Sequence, residues 1–128
     1  MVQVVVSGHA EALRPRVREF SDAIHAAAVT AFALPESKRF HRFVPLDRDC
    51  FVTPSDRTDD YTIIEVSMFE GRSVEAKKLF IRELYAATTA LGLRVEDVEI
   101  TITETPRANW GIRGRPGDEL ELSYRVQV

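Results

Sequence analysis

Residues 61–104 decide the fold and read YTIIEVSMFEGRSVEAKKLFIRELYAATTALGLRVEDVEITITE. The first part, residues 62–69, is rich in β-branched side chains and almost free of charge, which is typical of a buried strand. Ser73 follows the next turn and is well placed to cap the N-terminus of a helix, with Glu75 in the positive first turn. The stretch therefore opens as a strand that leads into a helix.

The helix that follows has one apolar stripe and a clear end. Gly92 is suited to a left-handed C-cap, and Leu93 can close the hydrophobic contact of a Schellman motif. Residues 98–104 then alternate apolar and polar side chains, which predicts a strand with one buried face. A strand, helix and strand in this order favour parallel strands joined by a right-handed crossover. The apolar stripe recurs with helical spacing at Phe80, Leu84, Ala87 and Leu91.

The N-terminal part repeats this order of elements. Residues 2–6 predict a strand that ends at Ser7 and Gly8, and Gly8 corresponds to Gly71 of the second unit. A long helix follows, with Pro15 near its start, and residues 39–44 form a candidate second strand. Two β-α-β halves, about 1–45 and 61–104, are therefore expected within one domain that spans residues 1–128.

The bulk composition excludes several classes of protein. The chain has 128 residues, 45% of them hydrophobic, and a net charge of −3, which argues against a nucleic-acid partner or an anionic membrane. No apolar run approaches the ~20 residues that span a bilayer, and the first residues lack a signal-peptide pattern. Cys50 is the only cysteine and is expected to be a small core residue. We expect a cytoplasmic protein.

The remaining segments predict loops and two further strands. The polar region 46–60 is interrupted by residues 50–52, which we expect to form a short strand within a loop. Residues 120–128 alternate apolar and polar side chains and predict a C-terminal strand with an edge free to pair with a neighbouring chain. Helices on one face of the sheet leave its other face bare, so a homo-oligomer is expected.

Several short motifs resemble the tautomerase superfamily, and within it the malonate semialdehyde decarboxylase group. The resemblance extends over about residues 2–120. The motifs are the turn at 71–73, the lysines at 77–78, the Asn-Trp-Gly turn at 109–111, and the run at 28–35 followed by Arg39 and Phe40. The resemblance implies a duplicated β-α-β fold of the α/β (α+β) class. Its four-stranded core sheet carries two helices on one face, with short C-terminal strands. It also implies a homotrimer and chemistry without a cofactor.

The chemistry of that family depends on an N-terminal proline that is exposed when the initiator methionine is removed. Its secondary amine serves as a base in tautomerases and as an acid in the decarboxylases. Val2 occupies that position here. If Met1 is removed, the Val2 α-amine becomes a primary amine with a reference pKa of ~7.7–8.0. If Met1 stays, its own amine is displaced by one residue, ~3.3 Å along a strand.

Of three further positions in the decarboxylase pattern, two differ in this sequence and one is kept. The aspartate that precedes the loop arginine in that group corresponds to Lys38, ahead of Arg39. Lys38 cannot do the work of a carboxylate, but it can hold an anionic substrate or lower the pKa of a nearby amine. Of two arginines that follow the third strand in that group, the first is Glu70 here and the second is kept as Arg72. We therefore do not expect decarboxylation of malonate semialdehyde.

The cationic side chains predict a small anionic substrate. By resemblance, Arg39 and Arg72 bind the carboxylate of a 2-keto or enol acid and stabilise a developing enolate. The alternative is that Arg72 forms an ion pair at its turn while Arg39 only edges a strand. For Arg113 and Arg115, substrate binding and a solvated loop are equally open, since Gly114 lets that loop fold over a pocket.

Two functions from different classes follow from these residues. One is cofactor-independent proton transfer by the N-terminal amine of Val2 or Met1, with Trp110 as an apolar wall. The other is a non-catalytic trimer that kept the fold as a binding or structural module. The three histidines are too scattered in the sequence to predict a metal site, and no cofactor motif accompanies them.

Overall fold

A computed structural model describes all residues, 1–128. Its principal elements alternate between strands and helices in the order that the sequence predicts. Short 3₁₀ turns at 14–16, 48–50, 95–97, 107–109 and 117–119 lie between or beside these elements. The elements are β1 (Val2–His9), α1 (Ala10–Leu13), α2 (Val17–Phe32), β2 (His41–Leu46), β3 (Thr62–Phe69), α3 (Val74–Ala90), β4 (Val98–Thr105), β5 (Gly111–Ile112) and β6 (Arg115–Pro116).

Four strands form one sheet in the order β2-β1-β3-β4. The outer pairs are parallel, as two β-α-β units require, and the central pair of β1 and β3 is antiparallel. Val2 lies opposite Met68 in that central pair, and Gly8 lies opposite Thr62. The fold class predicted from the sequence, with a four-stranded sheet and two long helices, is therefore confirmed. The short strands β5 and β6 form a separate antiparallel pair in a region that the sequence analysis did not predict as strand.

The core lies between this sheet and the two long helices. Alternate residues of β1 and β3 are fully or almost fully buried, whereas the intervening ones are at least partly exposed, except for His9 and Phe69 at the strand ends. Phe32 of α2 packs against Phe80 of α3 with ring centroids 4.8 Å apart. The two helices thus cover one face of the sheet, as predicted. The main contributors to the core are Val4, Val6, Phe20, Ile24, Ile64, Val66, Met68, Phe80 and Leu84.

Both ends of α3 follow the sequence-based prediction. The Ser73 hydroxyl accepts a hydrogen bond from the Ala76 amide at 3.1 Å, as an N-cap does. Gly92 has a φ of +95°, and the Leu93 amide donates to the Thr88 carbonyl at 3.1 Å. This is the 6→1 bond of a Schellman motif.

Three local predictions in the first half of the chain were wrong. β1 continues to His9, so Gly8 pairs within the sheet and does not form the turn equivalent of Gly71. Residues 50–52 form no strand, and Cys50 is exposed because Phe51 turns inward instead, against the rings of His9 and Tyr61.

The C-terminal segment, residues 120–128, also forms no strand, because none of the chain's own strands pairs with it. It folds back over the turn after β3. Val126 is 3% exposed and lies where a Cβ on Gly71 would meet it at 3.3 Å. The Ser73 hydroxyl donates to the Val128 carbonyl at 3.0 Å. Pairing of this segment with a neighbouring chain stays a prediction.

The helices are too short or too polar for membrane crossing: none meets the length and hydropathy that a transmembrane span needs.

A buried carboxylate anchors the long connection between β2 and β3. Asp97 is fully buried and accepts hydrogen bonds from the Thr58 amide at 2.9 Å, from the Thr58 hydroxyl and from Arg94 at 3.2 Å. Burial alone would raise the pKa of Asp97, but the hydrogen bonds from Arg94 and Thr58 outweigh it and lower that pKa to about 2.

Asp97→Asn is expected to destabilise the protein by about 1–3 kcal/mol at pH 7, because it removes a charged acceptor from buried donors. The folded pKa of about 2 lies below the unfolded value of 3.8, so this contribution is present above pH 3.8 and is lost as the pH falls toward 2. The free energy of unfolding, measured in urea, should therefore fall more steeply over that pH range in the wild type than in the variant. Asp118→Asn, at an exposed position, is the matched control, and an equal loss in both variants would contradict the anchor.

Candidate functional site

The N-terminal amine of Met1 lies where the chain's start meets the end of β3. The Phe69 amide donates to the Met1 carbonyl at 3.4 Å, which continues the pairing of β1 with β3. The amine itself donates a hydrogen bond to the phenol oxygen of Tyr124. With Met1 present, Val2 is a strand residue whose side chain is 5% exposed and belongs to the core.

The surroundings of this amine favour its neutral form. Burial, together with the positive charges of Arg72, Arg107 and Lys38, lowers the pKa of the Met1 amine from 8.0 to about 5. A group with this pKa is unprotonated at neutral pH and can accept a proton.

Arg72 is a buried cation without a carboxylate partner. Arg72 comes directly after Gly71, whose φ of +125° favours glycine. Arg72 is only 5% exposed. Nη1 donates to the Phe69 carbonyl at 3.3 Å, and the guanidinium lies 5.1 Å from the ring centroid of Phe32. Nε and Nη2 are buried and have no hydrogen-bond partner. Burial lowers the pKa of Arg72, and unpaired buried donors of this kind are costly unless an anion approaches them.

Tyr124 comes from the C-terminal segment and is half-buried beside the amine. Burial raises the pKa of its phenol, and the nearby charges of Arg72 and Arg107 oppose that shift only in part. The phenol therefore remains protonated at neutral pH. It is available as a hydrogen-bond donor at the site of the amine.

A cavity of about 220 Å³ opens next to the amine. This volume is below the ~300–1,000 Å³ of pockets for drug-sized ligands, so a small ligand fits it best. Two cations, Lys38 and Arg113, line the cavity together with one carboxylate, that of Glu121. The other lining residues are Met1, Ile112, Leu120, Leu122, Ser123 and Tyr124.

The structure brings some of the predicted site residues together and leaves others apart. Met1, Lys38 and Arg113 line one cavity, and the positive charge of Arg72 lowers the pKa of the same Met1 amine. Arg39 does not join them, because it pairs with Asp22 at 2.6 Å on the outer side of α2.

Two further predicted residues also lie outside the lining of the cavity. Arg115 is exposed on β6. Trp110 packs edge-on against Phe69 at 5.1 Å and donates from Nε1 to the Thr105 hydroxyl at 2.7 Å, which is a packing role. The apolar contribution to the cavity wall comes instead from Ile112 and two leucines of the C-terminal segment.

Sequence reasoning missed two residues of the site. Arg107 binds the carbonyls of Gly117 and Leu120 at 2.6–3.1 Å and so holds the C-terminal segment in place. Tyr124 is 123 positions from Met1 in the chain, and only the fold of that segment brings them together. No local pattern in the sequence could have indicated this contact.

A second cavity, of about 320 Å³, lies at the opposite end of β1. Its charged lining is mainly acidic, with Glu11, Asp47 and Asp59, and Asp59 already binds Arg48 through two hydrogen bonds of 2.7–2.9 Å. Such a lining repels a carboxylate, so the smaller cavity at Met1 is the better site for an anion. No group of three or more His, Cys, Asp or Glu side chains converges on a metal-binding geometry.

The same fold occurs in solved structures of other proteins. A malonate semialdehyde decarboxylase matches with a TM-score of 0.80 and 23% identity, over 92% of this chain and 99% of that protein. A fused 4-OT solved as an asymmetric trimer matches with a TM-score of 0.80 and 17% identity, over 91% of this chain and 96% of that protein.

Sequence relatives cover a shorter part of the chain. A probable tautomerase of Ralstonia nicotianae is 44% identical over 55 residues, 42% of this chain and 79% of that relative. A 2-hydroxymuconate tautomerase of Pseudomonas putida is 39% identical over 59 residues, 45% of this chain and 94% of that relative. The family described as tautomerase enzymes matches residues 38–113, more than half of the chain. The protein therefore belongs to the tautomerase family.

Proposed function

We propose that the protein catalyses keto-enol tautomerisation of a small 2-keto or enol carboxylic acid without a cofactor. One observation carries the proposal: the Met1 amine lies at a small cavity among cations, and its pKa of about 5 leaves it neutral at pH 7. The relatives named as tautomerases, one of them for 2-hydroxymuconate, support an enol acid as the substrate class.

In this proposal the amine moves one proton between oxygen and carbon of the substrate. The neutral Met1 amine takes the proton of the enol hydroxyl and returns it to the substrate carbon that becomes saturated. The substrate holds negative charge between these two steps, and the surrounding cations stabilise that charge. The phenol of Tyr124 donates a hydrogen bond to the enolate oxygen while the amine is protonated.

The substrate carboxylate contacts the two cations that line the cavity, Lys38 and Arg113. Arg72 acts mainly through its positive charge, which keeps the pKa of the Met1 amine low. This arrangement revises the assignment by resemblance, because Arg39 is engaged by Asp22 outside the cavity. Lys38 stands in place of the acid of the decarboxylases, so we propose proton transfer and not decarboxylation.

We also propose that the protein is a homotrimer that buries the sheet face opposite the helices. On that face, Val5 and Ile63 are only partly buried in the single chain, and Glu65 beside Val5 is exposed. The trimer of the fused 4-OT with the same fold supports this arrangement. A non-catalytic trimer that binds a small anion is the alternative, and the first experiment separates the two.

Ketonisation of phenylenolpyruvate, followed by ultraviolet absorbance, tests the function. The value of kcat/KM should rise with pH through about 5 and then stay level to pH 8, because the free amine is the base. Arg72→Met should lower the rate about 10²-fold and move this rise to higher pH, since the charge of Arg72 lowers the pKa of the amine.

Arg82→Met, at an exposed position of α3, is the matched control and should leave both the rate and the pH profile unchanged. Lys38→Met tests the same electrostatic effect at a residue that is not buried in the core, and should move the rise in the same direction by less. A folded wild-type protein without turnover would favour the non-catalytic alternative. A rise centred near pH 8 would overturn the proposed role of the amine.

Tyr124→Phe should reduce the rate of ketonisation about 10²-fold, because it removes a donor that stabilises the enolate. Tyr85→Phe is the matched control, since the Tyr85 hydroxyl donates to the Val98 carbonyl at 2.7 Å away from the cavity. That control should lose about 1 kcal/mol of stability and keep its rate. Equal rates for the wild type and Tyr124→Phe would remove the phenol from the mechanism.

Light scattering coupled to size exclusion should give three times the chain mass of 14.5 kDa. Val5→Glu should shift the protein toward monomer, because it places a second carboxylate opposite Glu65 on the face that the trimer buries. Val95→Glu adds the same charge at an exposed position and should leave the trimer intact. A monomeric wild type at micromolar concentration would refute the trimer.

A further inference from the structure

We propose that the Met1 amine also forms a covalent imine with the carbonyl carbon of small 2-oxo acids such as pyruvate. The inference deepens the proposed function, because it uses the same cavity and the same class of anionic substrate. It differs in the step: the amine acts as a nucleophile toward carbon and not only as a base toward a proton.

The cavity offers the three groups that imine formation needs. The amine supplies the lone pair, and its primary nitrogen has two hydrogens to lose. Lys38 and Arg113 line the same space and can hold the carboxylate next to the carbonyl. The phenol of Tyr124 is hydrogen-bonded to the amine, so it lies within reach of an oxygen bound to the attacked carbon.

The chemistry balances without an oxidant or a reductant. The neutral amine adds to C2 of the 2-oxo acid, a C–N bond forms, and the carbonyl oxygen becomes a hydroxyl after one proton shifts from nitrogen to oxygen. The hydroxyl then leaves as water with the second nitrogen proton, and a C=N bond remains. Protonation of the leaving oxygen is the step at which the phenol of Tyr124 assists.

The walls of the cavity favour the dehydration step. Ile112, Leu120 and Leu122 provide an apolar lining beside the amine. Apolar side chains beside the amine lower the local dielectric, which strengthens the interaction of the carboxylate with the cations. The amine is also kept neutral by burial and by Arg72, and only a neutral amine can attack a carbonyl.

Two of the chain's three lysines, Lys77 and Lys78, are poorer candidates for the same reaction. Lys77 pairs with Glu104 at 2.7 Å and does not line the cavity. Lys78 is exposed on α3 and does not line the cavity. Lys38 lines the cavity, so the position of the adduct must be determined by peptide mapping.

The experiment is reductive trapping of the wild-type protein, with Met1 shown to be present by intact mass. The protein is incubated at pH 6.5 with pyruvate and cyanoborohydride, which reduces an imine but not a ketone at that pH. One adduct per chain is expected, with the mass of pyruvic acid less one oxygen atom. Peptide mapping should place it on Met1, at a rate about tenfold or more above that of any lysine.

Two controls separate a built site from ordinary amine reactivity. Acetone, which has the carbonyl but lacks the carboxylate, should label Met1 about tenfold more slowly than pyruvate. Lys78→Arg removes one exposed amine and keeps the charge, and should leave the Met1 adduct unchanged. Tyr124→Phe should slow trapping while the protein retains its fold by circular dichroism.

The outcomes distinguish this inference from the proposed function. Ketonisation with a pH profile governed by the amine, but no adduct on Met1, would overturn imine formation alone. Labelling of Met1 no faster than of Lys77 and Lys78 would also overturn it. An adduct on Lys38 in place of Met1 would reject the N-terminal nucleophile. Absence of both ketonisation and trapping in the folded protein would refute both proposals.

Discussion

The antiparallel pairing of β1 with β3 is the constraint on which the candidate site depends. It sets Val2 opposite Met68, and so brings the first residue of the chain to the turn that carries Arg72. The two β-α-β units could each form their parallel pair without this contact. Only the central pairing joins an amine from one unit to a cation from the other. The site therefore needs both β-α-β units and is complete in neither alone.

The site concentrates positive charge where the fold cannot neutralise it. Arg72 has two buried nitrogens without partners, and the Met1 amine gives up its proton because further positive charge there is unfavourable. The opposite end of β1 carries mainly carboxylates around its cavity. The molecule is therefore electrostatically polar along β1, although its net charge of −3 gives no sign of it. An anion entering the cavity at Met1 would satisfy charges that the protein alone leaves unpaired.

Periodicity and end signals predicted the fold because they are local. The strand of residues 62–69, the Ser73 cap and the Gly92 end each follow from neighbours in sequence, and the structure has all three. The candidate site depended on longer-range contacts. The resemblance assigned Arg39 to the carboxylate of the substrate, but in the structure Arg39 forms an ion pair with Asp22 of the preceding helix. Tyr124 gave no signal, because its alternating segment has the pattern of a strand and yet finds no strand to pair with.

The absence of a proline at the start of the chain need not remove an amine from the site. What makes an amine a base at neutral pH is loss of solvent and nearby positive charge, and neither depends on a pyrrolidine ring. Here burial, Arg72 and Lys38 act on the amine of Met1, and the C-terminal segment closes over it through Tyr124. A primary amine in this position has one more hydrogen than a proline. On the functions proposed here, that hydrogen widens the chemistry, because it allows a neutral imine that a secondary amine cannot form.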